Sequence, residues 1–132
     1  MLSTPDNGWI NVSVNVRGRK GTKLWVGRAS YLTKPHLDLL DAFIEVLTCK
    51  LSSSVFFDAE GWTINIVFND YSIYIIEDKD KLRVYEYEGL IEDLMRECCD
   101  DIKRDIDLWS EWGYVELTSE DIANYKAEIN SK

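Results

Sequence analysis

The chain has 132 residues, of which 45% are hydrophobic and 12% aromatic, and its formal net charge at pH 7 is −9. This length and apolar content predict a single domain, residues 1–132, with a substantial core, and they argue against wholesale disorder. No window approaches the about 18 continuous apolar residues of a membrane span. The polar segment Met1–Gly8 also lacks a secretory pattern, so we expect a cytoplasmic protein without a membrane partner.

Two strands are predicted after this polar lead-in. Apolar and polar residues alternate from Trp9 to Val16, which is typical of a strand with one face in solvent. The glycine-containing turn Arg17–Gly21 leads into a second strand, Thr22–Leu32. We expect Leu24 and Val26 on one face of this strand and Trp25, Ala29 and Tyr31 on the other. Together the strands predict a hairpin, whose open outer edge at Trp9–Val16 would suit a dimer, so monomer and dimer are both options.

A helix and a meander should follow the hairpin. Pro35 suits the first turn of a helix, and apolar residues recur at helical spacing over residues 35–49. The positions expected to face solvent are Asp38, Asp41 and Glu45. From Ser54 to Tyr87 the period returns to two and the connections are short, which predicts neighbouring strands paired antiparallel.

The segment Leu90–Trp112 has the strongest helical pattern in the chain. Its apolar residues recur at steps of three and four and should share one side of a single helix. They are Ile91, Leu94, Met95, Cys98, Ile102, Ile106 and Trp109. The opposite side is acidic and is expected to face water, with salt bridges from Glu92 to Arg96 and from Asp100 to Arg104.

The chain closes with a second, shorter helical pattern. Gly113 is a natural helix stop, and Thr118–Asp121 has the spacing of a capping box. The core side of the closing helix should contain Ile122, Tyr125 and Ile129. The whole pattern predicts an α+β fold: an antiparallel sheet made of an N-terminal hairpin plus a meander, with helices packed mainly on one face.

The net charge is unevenly distributed along the chain. Residues 1–34 carry +5 and residues 35–132 carry −14. Charge separation of this kind favours oriented encounters with charged partners, and the acidic part disfavours nucleic acid because phosphates would be repelled. A basic protein partner fits better. Solubility alone explains the same charge without any partner.

Residue types with chemical potential are sparse. The chain lacks the phosphate-loop, dinucleotide, nucleophile-elbow and His-Glu-x-x-His motifs. His36, the only histidine, is expected at an exposed helix end, and Cys49, Cys98 and Cys99 are expected to be reduced thiols with Cys98 on the core side. Glu97 and Asp101 have the i,i+4 spacing for a hard cation, but a solvated helix face explains them better. We therefore expect no catalytic residues, no metal, no cofactor and no enzymatic activity.

Two surfaces are candidates for binding. The first is the acidic side of the long helix together with the aromatic residue at its end, because an exposed aromatic beside acids is the composition of a binding hot spot. Its residues are Glu92, Asp93, Glu97, Asp100, Asp101, Asp107, Glu111 and Trp112. Packing of this aromatic residue at the edge of the core explains it equally well. The second is the basic turn, where Arg17, Arg19 and Lys20 have the charge to contact a phosphate backbone, although a solvated turn explains them better.

A family resemblance agrees with the first surface. A small, acidic, cysteine-poor α+β chain with many strand aromatics resembles the immunity proteins of bacterial toxin systems, in particular contact-dependent inhibition immunity proteins. The residues that carry the resemblance are the acidic helix positions Glu92, Asp93, Glu97, Asp100 and Asp101, the tryptophans Trp109 and Trp112, and the strand Trp62–Phe68. The basic hairpin departs from the pattern.

The resemblance implies a cytosolic, non-catalytic inhibitor that neutralises one cognate toxin, often a basic nuclease. An alternative is a phage-type anti-defence protein whose acidic face mimics nucleic acid. A further alternative is a small nucleic-acid-associated module that uses the basic hairpin.

Overall fold

The fold combines two antiparallel sheets with four helices. A computed structural model describes residues 1–19, 23–49, 52–69, 72–112 and 116–131. The strands are β1 (Trp9–Asn15), β2 (Lys23–Ser30), β3 (Ser53–Asp58), β4 (Thr63–Phe68), β5 (Ile73–Asp78) and β6 (Leu82–Glu86). The helices are α1 (Pro35–Cys49), α2 (Ile91–Arg104), α3 (Ile106–Trp112) and α4 (Ser119–Asn130). Predictions for Lys20, Gly21, Thr22 and Gly113 lie outside the described residues.

The predicted α+β class with antiparallel sheets is confirmed. Strands β1 and β2 form a hairpin, and β3, β4, β5 and β6 pair in chain order as a four-stranded meander. Helix α1 packs against β3 and β4, and both α2 and α4 pack on α1. One face of the meander is buried, because every second residue points into the core. Its fully buried members are Val55, Phe57, Ile64, Ile66, Phe68, Ile73 and Ile75.

Helices α1 and α4 form where local signals place them. Helix α1 begins at Pro35 and its predicted span is confirmed. At the start of α4, the Thr118 hydroxyl accepts a hydrogen bond from the Asp121 backbone N–H at 3.2 Å, and the Asp121 carboxylate accepts one from the Thr118 N–H at 2.9 Å. The predicted capping box is therefore present, and it satisfies backbone donors that a helix end leaves free.

The predicted faces of β2 are wrong for Ala29 alone, because the strand contains a bulge. The register shifts between Val12 and Ser13, so that Val12 faces Gly27 while Ser13 faces Trp25. The extra residue changes the alternation of faces along β2, so that Ala29 lies on the buried side together with Val26. Gly27 has φ +154°, and a Cβ there would overlap the Cδ1 of Ile64 across the core. The bulge therefore lets the hairpin approach the meander closely.

The polar lead-in is part of the fold rather than a loose end. Met1 and Leu2 are buried, the Ser13 N–H donates to the Met1 carbonyl at 2.9 Å, and the Ser3 N–H donates to the Asn11 carbonyl at 3.0 Å. These bonds lie on the side of β1 that faces away from β2. The expected open edge at Trp9–Val16 is thus partly covered by the chain's own first residues, which weakens the case for a dimer through it.

The long acidic helix is broken in two, which corrects the single predicted helix from Leu90 to Trp112. Asp105 leaves the helical conformation with φ −120° and ψ 36°, so α2 ends at Arg104. The Asp105 carboxylate accepts hydrogen bonds from Arg104 Nε at 2.8 Å and from the Thr4 hydroxyl at 3.1 Å. The spacing of apolar residues does not reveal a helix break of one residue. The contact with Thr4 could not be predicted either, because Thr4 lies in the distant N-terminal segment.

Candidate functional site

Two of the predicted acidic positions face the N-terminal segment instead of solvent. The Met1 amino group donates to Glu97 at 2.6 Å and to Asp101 at 2.8 Å, and Lys23 forms a salt bridge with the same glutamate. Asp101 also accepts a hydrogen bond from the Leu2 backbone N–H at 2.8 Å. Their side chains are only 26% and 14% exposed, respectively. Glu97 and Asp101 therefore hold the chain's first residues on α2.

Two further acidic positions have basic neighbours at the surface. Asp93 pairs with Arg96 at 3.2 Å, and Asp100 forms a salt bridge with Lys126 of α4. The predicted pairs from Glu92 to Arg96 and from Asp100 to Arg104 are absent among the described residues. Each arginine instead uses a carboxylate three residues before it, and α4 supplies partners that helical spacing cannot reveal. Most of the α2 acidic face is thus neutralised within the molecule.

Asp101 and its neighbour Asp100 provide a matched test of this arrangement. Asp101→Ala should lower the free energy of unfolding by about 1–3 kcal/mol, because the Leu2 N–H and Arg104 lose their acceptor. Asp100→Ala removes only a surface pair and should cost at most about 1 kcal/mol. Urea unfolding of both variants measures the difference. Equal losses would show that Asp101 is no more structural than an ordinary surface carboxylate.

Three predicted acidic residues lack an ion pair within the described residues: Glu92, Asp107 and Glu111. Asp107 and Glu111 are exposed on α3. Trp112 follows them but is half-buried, since its indole N–H donates to the Thr33 carbonyl at 2.9 Å and its ring packs on Trp109 with centroids 5.3 Å apart. Of the two positions expected for Trp112, exposed or packed at the edge of the core, the structure therefore shows edge packing.

An open cavity of about 570 Å³ lies beside α3, within the size range of ligand sites. Its walls come from the N-terminal segment, the end of the hairpin and α3, and they consist of Pro5, Asp6, Asn7, Gly8, Tyr31, Leu108, Glu111 and Trp112. Tyr31 is 62% exposed and Leu108 is 41% exposed, so apolar surface is open to a partner here. Neither Asp6 nor Glu111 has an ion pair within the described residues.

The cavity wall is shaped by a tight turn. Asn7 and Gly8 have φ of +51° and +80°, and Asp6 and Trp9 exchange backbone hydrogen bonds of 2.9 and 3.0 Å. The Tyr31 N–H then donates to the Gly8 carbonyl at 2.9 Å. Asn-Gly is the residue pair that such two-residue turns favour, because both positions need positive φ. The Asn7-Gly8 dipeptide is therefore the sequence signal that could have indicated this wall of the cavity. The helical pattern of the acidic segment gives no information about it.

His36 is fully buried, which corrects the expected exposed helix-end position. Its ring lies 4.5 Å from the Trp109 ring between centroids, and neither ring nitrogen has a well-formed hydrogen bond within the described residues. Burial, together with the positive charge of Lys34, lowers the pKa of His36 to about 4, although the backbone of Trp109 partly opposes this shift. At pH 7 the imidazole is therefore neutral and acts as a core aromatic behind Trp109 and Trp112.

Two cations at and beside the basic turn form ion pairs within the molecule. Arg17 pairs with Glu86 at 3.3 Å, Arg19 is exposed, and Lys20 lies outside the described residues. Lys23, which follows the turn, is used by Glu97. Of the described cations at and beside this turn, Arg19 alone is left without an ion pair.

Other groups able to support chemistry are buried or dispersed. Cys98 and Cys99 are free and buried, and burial raises the pKa of both thiols; the side chain of Cys49 lies outside the described part. Within the described ranges, no three His, Cys, Asp or Glu side chains are grouped to hold a metal ion. None of the described helices is long and apolar enough to cross a membrane.

Comparison with known proteins gave no match: no family model, no curated protein and no solved structure is significantly similar to the chain.

Proposed function

We propose that the protein is a cytoplasmic, non-catalytic inhibitor that binds a basic protein partner, as an immunity protein binds its cognate toxin. The observation that carries the proposal is the surface around α3, where carboxylates without an ion pair in the described part of the chain lie beside exposed apolar side chains. Asp107 and Glu111 lie on α3, and Leu108 lies between them in the chain. Apolar anchors inside a polar rim are the usual composition of a protein interface.

The charge of the whole chain supports a basic partner. A net charge of −9 attracts a cationic protein over a distance of about one Debye length, roughly 8 Å at physiological salt. The paired residues on α2, such as Asp93 and Asp100, add less to direct contacts because a partner must first displace Arg96 or Lys126. Contact energy should therefore concentrate at Asp107, Glu111 and Trp112, and the α2 acids should mainly affect the association rate.

A phage-type anti-defence protein that mimics nucleic acid would use the same surface on a different basic partner. The two roles share one binding chemistry and differ only in the identity of the protein that is bound. Direct nucleic-acid binding through Arg17 and Arg19 is less well supported, because Glu86 already pairs with Arg17.

The binding proposal is tested by using the protein as bait in lysate from its native host, at low and moderate salt. We expect one basic protein to be recovered at equal ratio and identified by mass spectrometry. Asp107→Lys with Glu111→Lys should reduce its recovery at least tenfold. The matched control is Asp80→Lys with Glu128→Lys, which changes the charge equally at exposed positions outside the cavity wall.

Three outcomes would contradict the proposal. The first is recovery of no basic protein at either salt concentration. The second is equal loss of the partner with the control variant, which would leave only net charge as the cause. The third is recovery of nucleic acid alone, which would move attention to the basic turn.

A further inference from the structure

We propose that the cavity beside α3 receives an arginine side chain from the basic partner. This inference rests on the proposed function and deepens it, because it names the group that enters the site. The cavity combines two features that a guanidinium recognises: aromatic surface from Tyr31 and Trp112, and carboxylates from Asp6 and Glu111. The partner is a protein segment whose positive charge complements these acids.

Two aromatic rings elsewhere in the chain are each covered by a cation of the chain itself. Arg28 lies over the Trp9 ring at 4.3 Å from its centroid, and Lys79 lies over the Trp62 ring at 5.1 Å. Within the described residues, no cation of the chain itself covers the ring of Tyr31 or of Trp112. Cations are attracted to aromatic faces by the negative charge above the ring, and the attraction is larger where water is excluded. The cavity therefore offers aromatic surface that an external cation can use.

The carboxylates of the cavity wall also lack a cationic partner within the described residues. Asp6 and Glu111 lie on the cavity wall without an ion pair in the described chain, whereas most carboxylates of α2 are matched with a base. A guanidinium can donate to two carboxylates through its planar fork while it stacks on an aromatic ring, and an ammonium group cannot do both. The presence of both kinds of group in one wall favours arginine over lysine.

The cavity is held open before any partner arrives. The Gly8 carbonyl accepts the Tyr31 N–H at 2.9 Å on one wall, and on the other the Trp112 indole donates to the Thr33 carbonyl at 2.9 Å. Both bonds involve backbone atoms, so the wall positions do not depend on flexible side chains alone. A volume of about 570 Å³ is large enough for an arginine side chain and adjoining main chain. Preorganisation of this kind reduces the entropic cost of binding.

A second copy of the chain is a weaker occupant than a basic protein. Two chains that each carry −9 repel one another, and each would bring further carboxylates to a wall that already contains two. Concentration-independent sedimentation as a monomer is therefore expected, and a dimer that Glu111→Gln dissociates would overturn the assignment to an external arginine.

The test uses the capped tripeptide acetyl-Gly-Arg-Gly-amide, titrated into the full ¹⁵N-labelled chain and followed by NMR. We expect shifts at the Trp112 indole N–H and at the Leu108 and Gly8 amides. The lysine peptide should bind at least threefold more weakly. The citrulline peptide, which has the same shape but no charge, should not shift these signals at the same concentrations. Equal shifts from the citrulline peptide, or shifts confined to residues outside the cavity, would overturn the proposal.

Substitutions that remove one charge each identify the contacts. Glu111→Gln and Asp6→Asn should each weaken arginine-peptide binding at least threefold, whereas Glu128→Gln and Asp80→Asn change the net charge equally and should leave it within error. Unchanged spectra away from the substituted site would establish that each variant is folded. Equal weakening by all four variants would overturn the site and indicate attraction by net charge alone.

Failure of this inference is distinguishable from failure of the proposed function. A captured basic partner that binds Glu111→Gln and Asp6→Asn as tightly as the unmodified chain would overturn the arginine site and leave the inhibitor proposal intact. Peptide binding with the expected selectivity, but without any basic partner in the lysate, would support the site and count against the inhibitor proposal.

Discussion

Replacing Trp109 with alanine should lower the free energy of unfolding by about 3–5 kcal/mol, the range for removing a large buried aromatic side chain. Trp109 is fully buried and is among the largest side chains in the core. Its ring packs between His36 and Trp112, with centroid distances of 4.5 and 5.3 Å. Alanine would leave a cavity beneath both rings, and α3 would lose the side chain that anchors it to the core.

Urea unfolding followed by circular dichroism measures this loss. The control is Trp25→Ala, because Trp25 is the same residue type but is 48% exposed. We expect this control to cost about 1 kcal/mol, as for most partly exposed positions. If the variant remains folded, its arginine-peptide binding should also weaken, since Trp109 supports the Trp112 wall of the cavity. A cost for Trp109→Ala no larger than that of the control would contradict the central position given to this residue.

His36→Phe should flatten the dependence of stability on pH between pH 7 and pH 4. In the unfolded chain, the pKa of a histidine is about 6.5, whereas burial lowers the pKa of His36 to about 4 in the folded chain. Between these two pKa values, His36 therefore binds a proton in the unfolded chain but not in the folded chain. The stability due to neutral His36 is fully present above about pH 6.5 and is lost as the pH falls towards 4, by up to about 3 kcal/mol.

The measurement is chemical unfolding of both proteins at several pH values from 7 to 4. Phenylalanine keeps a ring against Trp109 and removes the titrating group, and no hydrogen bond is lost because the imidazole nitrogens have none of normal geometry within the described residues. Carboxylates also titrate in this interval. Burial and the nearby Asp41 charge raise the pKa of Asp38, for example, but such effects cancel in the difference between the two proteins. Parallel pH curves would show that His36 becomes protonated without penalty.

Local patterns were sufficient for α1, for α4 and for the buried side of the acidic segment. Helix α1 begins at Pro35 as predicted, α4 begins with the expected Thr118–Asp121 capping box, and Trp109 and Cys98 lie on the buried side of the acidic segment. These features depend on residues within a few positions of one another, so the sequence alone is enough to recognise the spacing and the capping residues.

The candidate site was only partly predictable. Asp107, Glu111 and Trp112 were predicted as contact residues and lie at or beside the α3 cavity, but that role is still a prediction. The wall residues Asp6 and Tyr31 were not predicted, because nothing in the local pattern connects the N-terminal segment with the end of the hairpin and α3. The bulge beside Gly27 was missed for a related reason, since the contact between Gly27 and Ile64 joins residues far apart in sequence.

The sequence by itself determined the α+β class, the antiparallel meander and the amphipathic character of the helices, because hydrophobic periodicity and short connections specify them locally. Only the tertiary structure decided which charges remain free, that His36 is buried, and where the acidic segment bends. The contacts concerned join residues far apart in sequence: Asp100 to Lys126, His36 to Trp109, and Thr4 to Asp105. A carboxylate is available to a partner only if no distant base reaches it first, and that depends on the packing of the whole chain.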